Sequence, residues 1–313
     1  MHRCAKRTAT GGFACTFLLV PGSTDALLTE LRTLIARHAR ADETTAIDGV
    51  LLSTVDATGE PAAGTSGTVM AVIAQGAKRL ALGDRIHDYR AGQYLVASVD
   101  LPITGHWLEA SPSEPALGFG LVLRPSAIAS LLLDAPTALE AGTPPPGLGV
   151  ADAPPELLDA VVRTVRLLDR PEDRDVLAPM LEREILWRLV NGPLGRSVRQ
   201  IGLADSSLTQ ISRAVRWITE HYDEPFRVAE LARECSMSTS AFHRNFHAVT
   251  ALSPIQFQKQ IRLQKSRLLL VTGADDVATV GYRVGYESAS QFSREYRRQF
   301  GLPPGRDAER LRA

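Results

Sequence analysis

Two copies of one pattern occupy the last hundred residues of this chain, and few folds accommodate them. The first copy runs from Val228 to Ser238 and on from Thr239 to Phe246; the second runs from Val277 to Glu287 and on from Ser288 to Tyr296. The offset is 49 residues before the turn (228 to 277) and 50 after it (242 to 292), so the second turn is one residue longer. Each copy has the features of a helix-turn-helix. A small residue, Ala232 or Gly281, stands where a second helix must cross closely, and a break follows at Ser236 or Gly285. A hydroxyl at Ser238 or Thr239, or at Ser288, is placed to cap the next helix. Phe242, Phe246 and Val249, or Phe292, Tyr296 and Phe300, then turn inward at helical spacing.

That inward spacing leaves a defined outward face: Ser240, His243, Arg244 and His247 in the first copy, Ser290, Gln291, Arg294, Arg297 and Arg298 in the second. These are donors suited to DNA, since Arg grips guanine O6 and N7, Gln pairs with adenine, and Ser or His bonds to base edges or phosphates. An isolated amphipathic helix with a polar outer face is ordinarily just solvated. Two copies with the same aromatic spacing and an Arg two residues after each Phe (Arg244, Arg294) outweigh that reading. Charge agrees. Residues 206–313 carry 16 Lys and Arg against 11 Asp and Glu, leaving 19 against 24 for the first 205, so a net charge of zero divides into a basic and an acidic part. Between the copies, Ser253 to Phe257 opens a long helix through Leu270 that would hold two recognition helices one duplex turn apart, about 34 Å.

The front of the chain reads differently. The 313 residues suggest about two domains at ~150 residues each. Leu27, Leu28, Leu31, Leu34 and Ile35 mark an amphipathic helix between Ala26 and Arg40. From about Val50 to Leu123, short apolar runs are broken by turn signals such as Gln75-Gly76, Gly83-Asp84 and Ala91-Gly92, the pattern of a β barrel or sandwich. After Thr143-Pro144-Pro145-Pro146-Gly147, two apolar stripes (Leu157 to Leu168; Leu177, Met180, Leu181, Ile185, Leu186, Leu189) form a helical hairpin that packs on the barrel or on a second subunit. Gly192-Pro193 ends it.

Several functions are excluded or disfavoured. Cys4, Cys15 and Cys235 form no C-x-x-C pair, which argues against a disulfide scaffold or a cysteine zinc cluster and for a cytoplasmic setting. The basic start followed by Phe13 to Val20 has the order of a secretion signal, but the apolar run is short and no A-x-A site follows, so residues 1–25 are expected to be a disordered leader. No stretch is long enough to span a bilayer. His87, His106 and Glu109 lack His-x-His spacing, so no metal is expected, and no nucleophile elbow, Walker loop or dinucleotide fingerprint marks a catalytic site or cofactor. Tyr89, Tyr94, His106 and Trp107 are candidates to face an effector cavity, though their direction is not readable from sequence and no effector residue is assigned.

The C-terminal part resembles the AraC/XylS family of bacterial transcription regulators. The resemblance rests on Ser253-Pro254, Ile261-Arg262-Leu263, Leu269-Leu270, Val284 to Ser288, Phe292 to Tyr296 and Phe300-Gly301-Leu302-Pro303-Pro304, and spans about 208–306. Lys265-Ser266 departs from the usual small Ala after the Arg-Leu pair. The front half is similar to one branch of the family, through Ala74 to Lys78, Leu82 to Asp84, Tyr89 to Leu95, Val99 to Pro102 and Glu184 to Leu189. The resemblance implies an α+β chain: a cupin-like β barrel with a helical hairpin over 26–195, a linker over 196–207, and an all-α DNA-binding domain with two helix-turn-helix motifs over 208–313. It further implies a non-enzymatic regulator that binds a double-stranded operator, contacts RNA polymerase and answers to a small-molecule effector; the helical hairpin adds a second copy of the chain, in a homodimer, as a candidate partner.

Within that reading, Ser240, His243 and Arg244 are expected to contact bases in one major-groove segment and Ser290, Gln291 and Arg294 in the next. Thr239, Arg262, Lys265, Arg283 and Ser288 are expected to contact phosphates. The competing reading is a cupin-type small-molecule-binding or metal-dependent enzyme whose C-terminal helices only meet partners.

Overall fold

The structure is a computed structural model that describes residues 23–134, 143–203, 206–273 and 276–312. Of the expected leader, residues 1–22 lie outside the described residues, and α1 (Thr24–His38) begins at its end, capped by Ser23. Then come β1 (Val50–Val55), β2 (Ala62–Thr65), β3 (Val69–Gln75), β4 (Ala77–Leu82), β5 (Arg85–Arg90), β6 (Gln93–Ala97), β7 (Pro102–Glu109) and β8 (Ala116–Val122). α2 (Pro125–Asp134), β9 (Leu148–Asp152), α3 (Pro155–Arg166), α4 (Pro171–Val190) and α5 (Gly195–Ile201) complete the front half. The rest is helical: α6 (Ser207–Glu220), α7 (Val228–Glu234), α8 (Thr239–Thr250), α9 (Pro254–Thr272), α10 (Val277–Arg283), α11 (Ala289–Phe300) and α12 (Pro304–Arg312).

The strands form two antiparallel sheets, ordered β1-β8-β3-β6-β9 and β2-β7-β4-β5, which line one cavity between them as the two walls of the expected cupin-like barrel. Gly83-Asp84 closes the β4–β5 hairpin, whereas Gln75-Gly76 and Ala91-Gly92 carry the chain from one sheet to the other. At Gly76 (φ +86°) the requirement for glycine is steric, since a Cβ would lie 2.5 Å from the Glu109 carbonyl oxygen. α3 and α4, joined by a short 3₁₀ turn, make the expected helical hairpin, and α1 and α3 pack together. The second apolar stripe is only partly inward: Leu181, Ile185, Leu186 and Leu189 are buried, whereas Leu177 and Met180 face out.

The expected linker is not a free tether. α5 occupies most of 196–203, and its Val198 and Ile201 are buried; residues 204–205 lie outside the described residues. One apolar core therefore runs from the barrel through α5 and α6 into the first helix-turn-helix as far as Ile261, while Leu263, Leu270, Val280, Val284, Tyr286, Phe292 and Tyr296 form a second core in the other repeat. The barrel also holds the C-terminal end of α8 directly. Gly147 N–H donates to Val249 O (2.9 Å), and Arg85 Nη1 reaches Ala248 O (3.4 Å).

The second core is closed by a buried carboxylate. Asp307 on α12 is fully buried and accepts from Arg267 (2.9 and 3.3 Å), Tyr296 Oη (2.9 Å) and Arg310 (3.1 Å). Burial pushes its acidity down, but the bonds from Arg267 and Tyr296 outweigh that, so the carboxyl is held below its usual range. Asp307→Asn is expected to lower stability by about 3 kcal/mol at neutral pH, because Arg267 loses its counter-charge. A depressed carboxyl stabilises fully above its unfolded value, about 3.9, and loses that contribution as pH falls through the folded value. Thermal unfolding should thus show wild type and variant well separated at neutral pH and converging only in strong acid.

Candidate nucleic-acid interface

The two repeats close their turns with the same bonds. Met237 N–H donates to Ala232 O (2.9 Å) in the first and Tyr286 N–H to Gly281 O (3.0 Å) in the second. Ser236 (φ +56°) and Gly285 (φ +89°) occupy the left-handed region at equivalent positions. Ala232 and Gly281 are both buried at the crossing, and a Cβ on Gly281 would stand 2.9 Å from the Phe292 ring. Ser238 caps α8 and Ser288 caps α11, each accepting from the backbone three residues on (3.3 and 3.4 Å). Thr239 is therefore the first helical residue and not the cap.

With Phe242, Phe246, Phe292 and Tyr296 fully buried, the faces opposite them are set. Ser240, His243 and Arg244 are exposed on α8; Ser290 and Arg294 are exposed on α11. Gln291 is only half-exposed, and its amide donates to Glu295 Oε1 (3.3 Å). Both serines sit close to their caps, Ser240 Oγ 3.3 Å from Ser238 Oγ and Ser290 Oγ 2.8 Å from Ser288 Oγ. Lys265 on α9 and Arg283 at the end of α10 are exposed.

Arg262 is the correction. Its Nε donates to Tyr222 O (2.5 Å), Nη1 to Gly285 O (2.7 Å), and Nη2 to Asp223 O (3.2 Å) and Glu224 O (3.3 Å). A guanidinium committed to four carbonyls ties the loop after α6 to the turn of the second repeat, which is not the free donor face expected of a phosphate contact. Gly285 is shaped to the same joint, because a Cβ there would stand 2.2 Å from Asp223 O.

A second network escaped the sequence reading. Glu295, buried on α11, accepts from Lys259 Nζ (2.9 Å), Tyr286 Oη (3.0 Å) and Gln291. Burial raises its acid constant, yet the bonds from Lys259, Gln291 and Tyr286 prevail and hold the carboxyl below its usual range. An acid one residue after the outward Arg294 was the available signal, since that position must turn toward the helix's own protein side.

In the barrel, Tyr89 and Trp107 line an internal cavity of about 270 Å³, but Tyr94 and His106 do not. The Tyr94 hydroxyl meets the Leu194 backbone instead, and His106 pairs in register with the outward Arg79. Among the described residues, no group of three His, Cys, Asp or Glu is placed to hold a metal ion, and no helix is long and apolar enough to cross a membrane.

Residues 46–197 match the family described as AraC-type transcriptional regulator N-terminus, and residues 231–310 match the helix-turn-helix domain family. The HTH-type transcriptional activator RhaS of Escherichia coli O1:K1 / APEC is 28% identical over 148 residues, 47% of this chain and 53% of RhaS. RhaS of Salmonella arizonae is 30% identical over 156 residues, 48% of this chain and 56% of RhaS. The matched region thus spans about half the length of these curated relatives. Among solved structures, ToxT from Vibrio cholerae superposes with a TM-score of 0.52 at 11% identity, covering 85% of this chain and 100% of ToxT. A ToxT structure with an unsaturated fatty acid bound gives 0.50 at 12% identity, over 84% of this chain and 95% of that one. ToxT shares the fold, and the relatives are transcription regulators, not enzymes.

The geometry of the joint has a direct test. Arg262→Ala and Gly285→Ala are each expected to lower the melting temperature, the latter by about 1–3 kcal/mol of strain at a positive φ. Arg262→Ala should leave the slope of log affinity for DNA against log salt unchanged, whereas loss of a phosphate contact reduces that slope by about one. A reduced slope in a normally folded variant would restore Arg262 to the phosphate contacts.

Proposed function

The chain belongs to the AraC/XylS family of bacterial transcription regulators, and from that premise we propose that it binds an operator in double-stranded DNA through α8 and α11 and regulates transcription there. The observation that carries this reading is the pair of identically closed helix-turn-helix units, each turning an exposed Ser and Arg away from a fully buried aromatic pair. Ser240, His243 and Arg244 read one major-groove segment, and Ser290, Gln291 and Arg294 read the next. For Gln291 to reach a base, it must exchange its bond to Glu295. Lys265, Arg283, Thr239 and Ser288 contact phosphates, the last two with their side of each helix N-terminus toward the backbone.

The name of its curated relatives, transcriptional activator, favours activation through contact with RNA polymerase. A small-molecule effector in the barrel cavity fits both the lining of that cavity and the fatty acid held by a protein of the same fold. Val176, Met180 and Trp187 on the outer face of α4 are exposed and apolar, which suits contact with a second copy. The setting is the cytoplasm, where the operator is.

Selection of bound duplexes from a random pool by the full-length protein at near-physiological salt tests the reading. Two short blocks with centres about 10 base pairs apart are expected. Arg244→Ala and Arg294→Ala should each relax preference within one block at a cost of about 1–3 kcal/mol, whereas Lys265→Ala should weaken all sequences alike and reduce the salt slope. No enrichment with the full chain or with residues 206–313 would overturn the assignment.

A further inference from the structure

The barrel interior is hollowed on one side by small residues. Ala71, Gly118 and Gly120 line its cavity, and a Cβ on Gly118 would come within 2.6 Å of Ser53 Oγ and 3.9 Å of the Trp107 ring. The opposite wall presents a row of three polar-tipped side chains. Lys78 on β4 pairs in register with Tyr89 on β5 and with Trp107 on β7, so the three stand side by side on adjacent strands and all line the cavity. The register of β7 slips between Ala77 and Lys78, with Leu108 as the extra residue, and this bulge sets Lys78 beside Trp107. Lys78 Nζ lies 5.1 Å from the Trp107 ring centroid.

The charge balance of this wall is incomplete. Among the described residues, the Lys78 ammonium has no hydrogen bond or ion pair, and the Tyr89 hydroxyl has no hydrogen-bond partner. Glu43, exposed at the rim, is the only acid in the lining; its attraction for Lys78 is screened by solvent. Burial pushes the Lys78 amine below its ordinary range, the mark of a cation whose hydration is not replaced. Folding a cation into an apolar wall without a counter-charge costs stability, and a bound anion would offset that cost. Leu51, Val69, Ile73, Leu95, Ile103 and Phe119 supply an apolar surface beside this row, and the hydroxyls of Ser53, Thr65 and Ser66 join the lining. At about 270 Å³ the cavity lies at the small end for ligand sites, so the occupant is compact.

We propose that the cavity takes a small carboxylic acid with an aromatic or short acyl body, its carboxylate paired with Lys78 and accepting from Tyr89, its apolar part against Trp107 and Phe119. This deepens the effector reading above and rests on it.

The test is calorimetric titration of the full-length protein with benzoate, phenylacetate, 3-phenylpropionate and hexanoate, each beside its neutral amide. At least one acid is expected to bind about tenfold or more tightly than its amide. Lys78→Met should abolish that preference and, without ligand, should melt at a higher temperature than wild type, which shows that the variant folds. Equal binding of acid and amide would overturn the anion proposal while leaving a neutral effector site standing. Acid binding undiminished in Lys78→Met, or no binding by any of the four acids at millimolar concentration, would also overturn it. Duplex selection is scored independently, so the DNA-binding assignment stands or falls apart from these outcomes.

Discussion

One guanidinium ties the second helix-turn-helix unit to the segment that leads into the first. Arg262, on the connecting helix α9, joins three carbonyls that follow α6 to the carbonyl of Gly285 in the turn of the second repeat. Each repeat has its own aromatic core, α9 contributing Phe257 and Ile261 to the first and Leu263 and Leu270 to the second, but neither core pins the turn of the second repeat to the loop after α6. The joint does. It requires a planar donor that spreads its bonds over several acceptors, which a lysine ammonium does not provide in that geometry. It also requires a glycine, because the turn presses so closely on Asp223 that a side chain has no room. In the proposed reading two grooves are read together only if the helices are held at a fixed separation, and this contact is one that holds them.

The barrel half is bound to this arrangement at one end. The apolar core of the barrel continues through α5 and α6 into the first repeat, and the loop at Gly147 hydrogen-bonds to the last turn of α8. Strand β4 adds a short physical route. It carries Lys78 on the cavity wall and ends at the Gly83 turn, where a Cβ would stand 2.9 Å from the carbonyl of Ala251, the residue that ends α8. A ligand shifts such a joint only as far as it binds one arrangement better than the other. The observed packing places the C-terminal end of α8 against the barrel and leaves Ser240, His243 and Arg244, near its other end, exposed.

Much of this was legible beforehand. The positions of Phe242 and Phe246, and of Phe292 and Tyr296, follow from helical period, and so do the outward faces opposite them. Turn dipeptides located three chain reversals of the barrel, because a tight turn demands particular backbone angles whatever surrounds it, but they did not tell the one hairpin, β4–β5, from the two crossings between sheets. Other features were misread for identifiable reasons. Ser238 and Thr239 are equally good caps by type, and only the backbone angle at 238 separates them. Leu177 and Met180 continue the α4 stripe in sequence but face away, because α4 is longer than the surface it packs on. Tyr89 and Trp107 share the cavity while Tyr94 and His106 do not, and a single extra residue in β7 helps decide that.

By itself, the sequence determined the two helix-turn-helix units, the faces they turn outward, the antiparallel character of the front half and the family. These depend on period, caps and turns, which act over a few residues. Only the tertiary structure decided that Arg262 ties the loop after α6 to the second repeat, that Glu295 and Asp307 are buried network acids, that the barrel and first repeat share a core, and that Lys78 faces a cavity with only the exposed Glu43 as an acid in its lining. Each of these is set by backbone brought together from distant parts of the chain, or by a one-residue register shift, and an arginine or lysine carries no local mark of which acceptor it will meet.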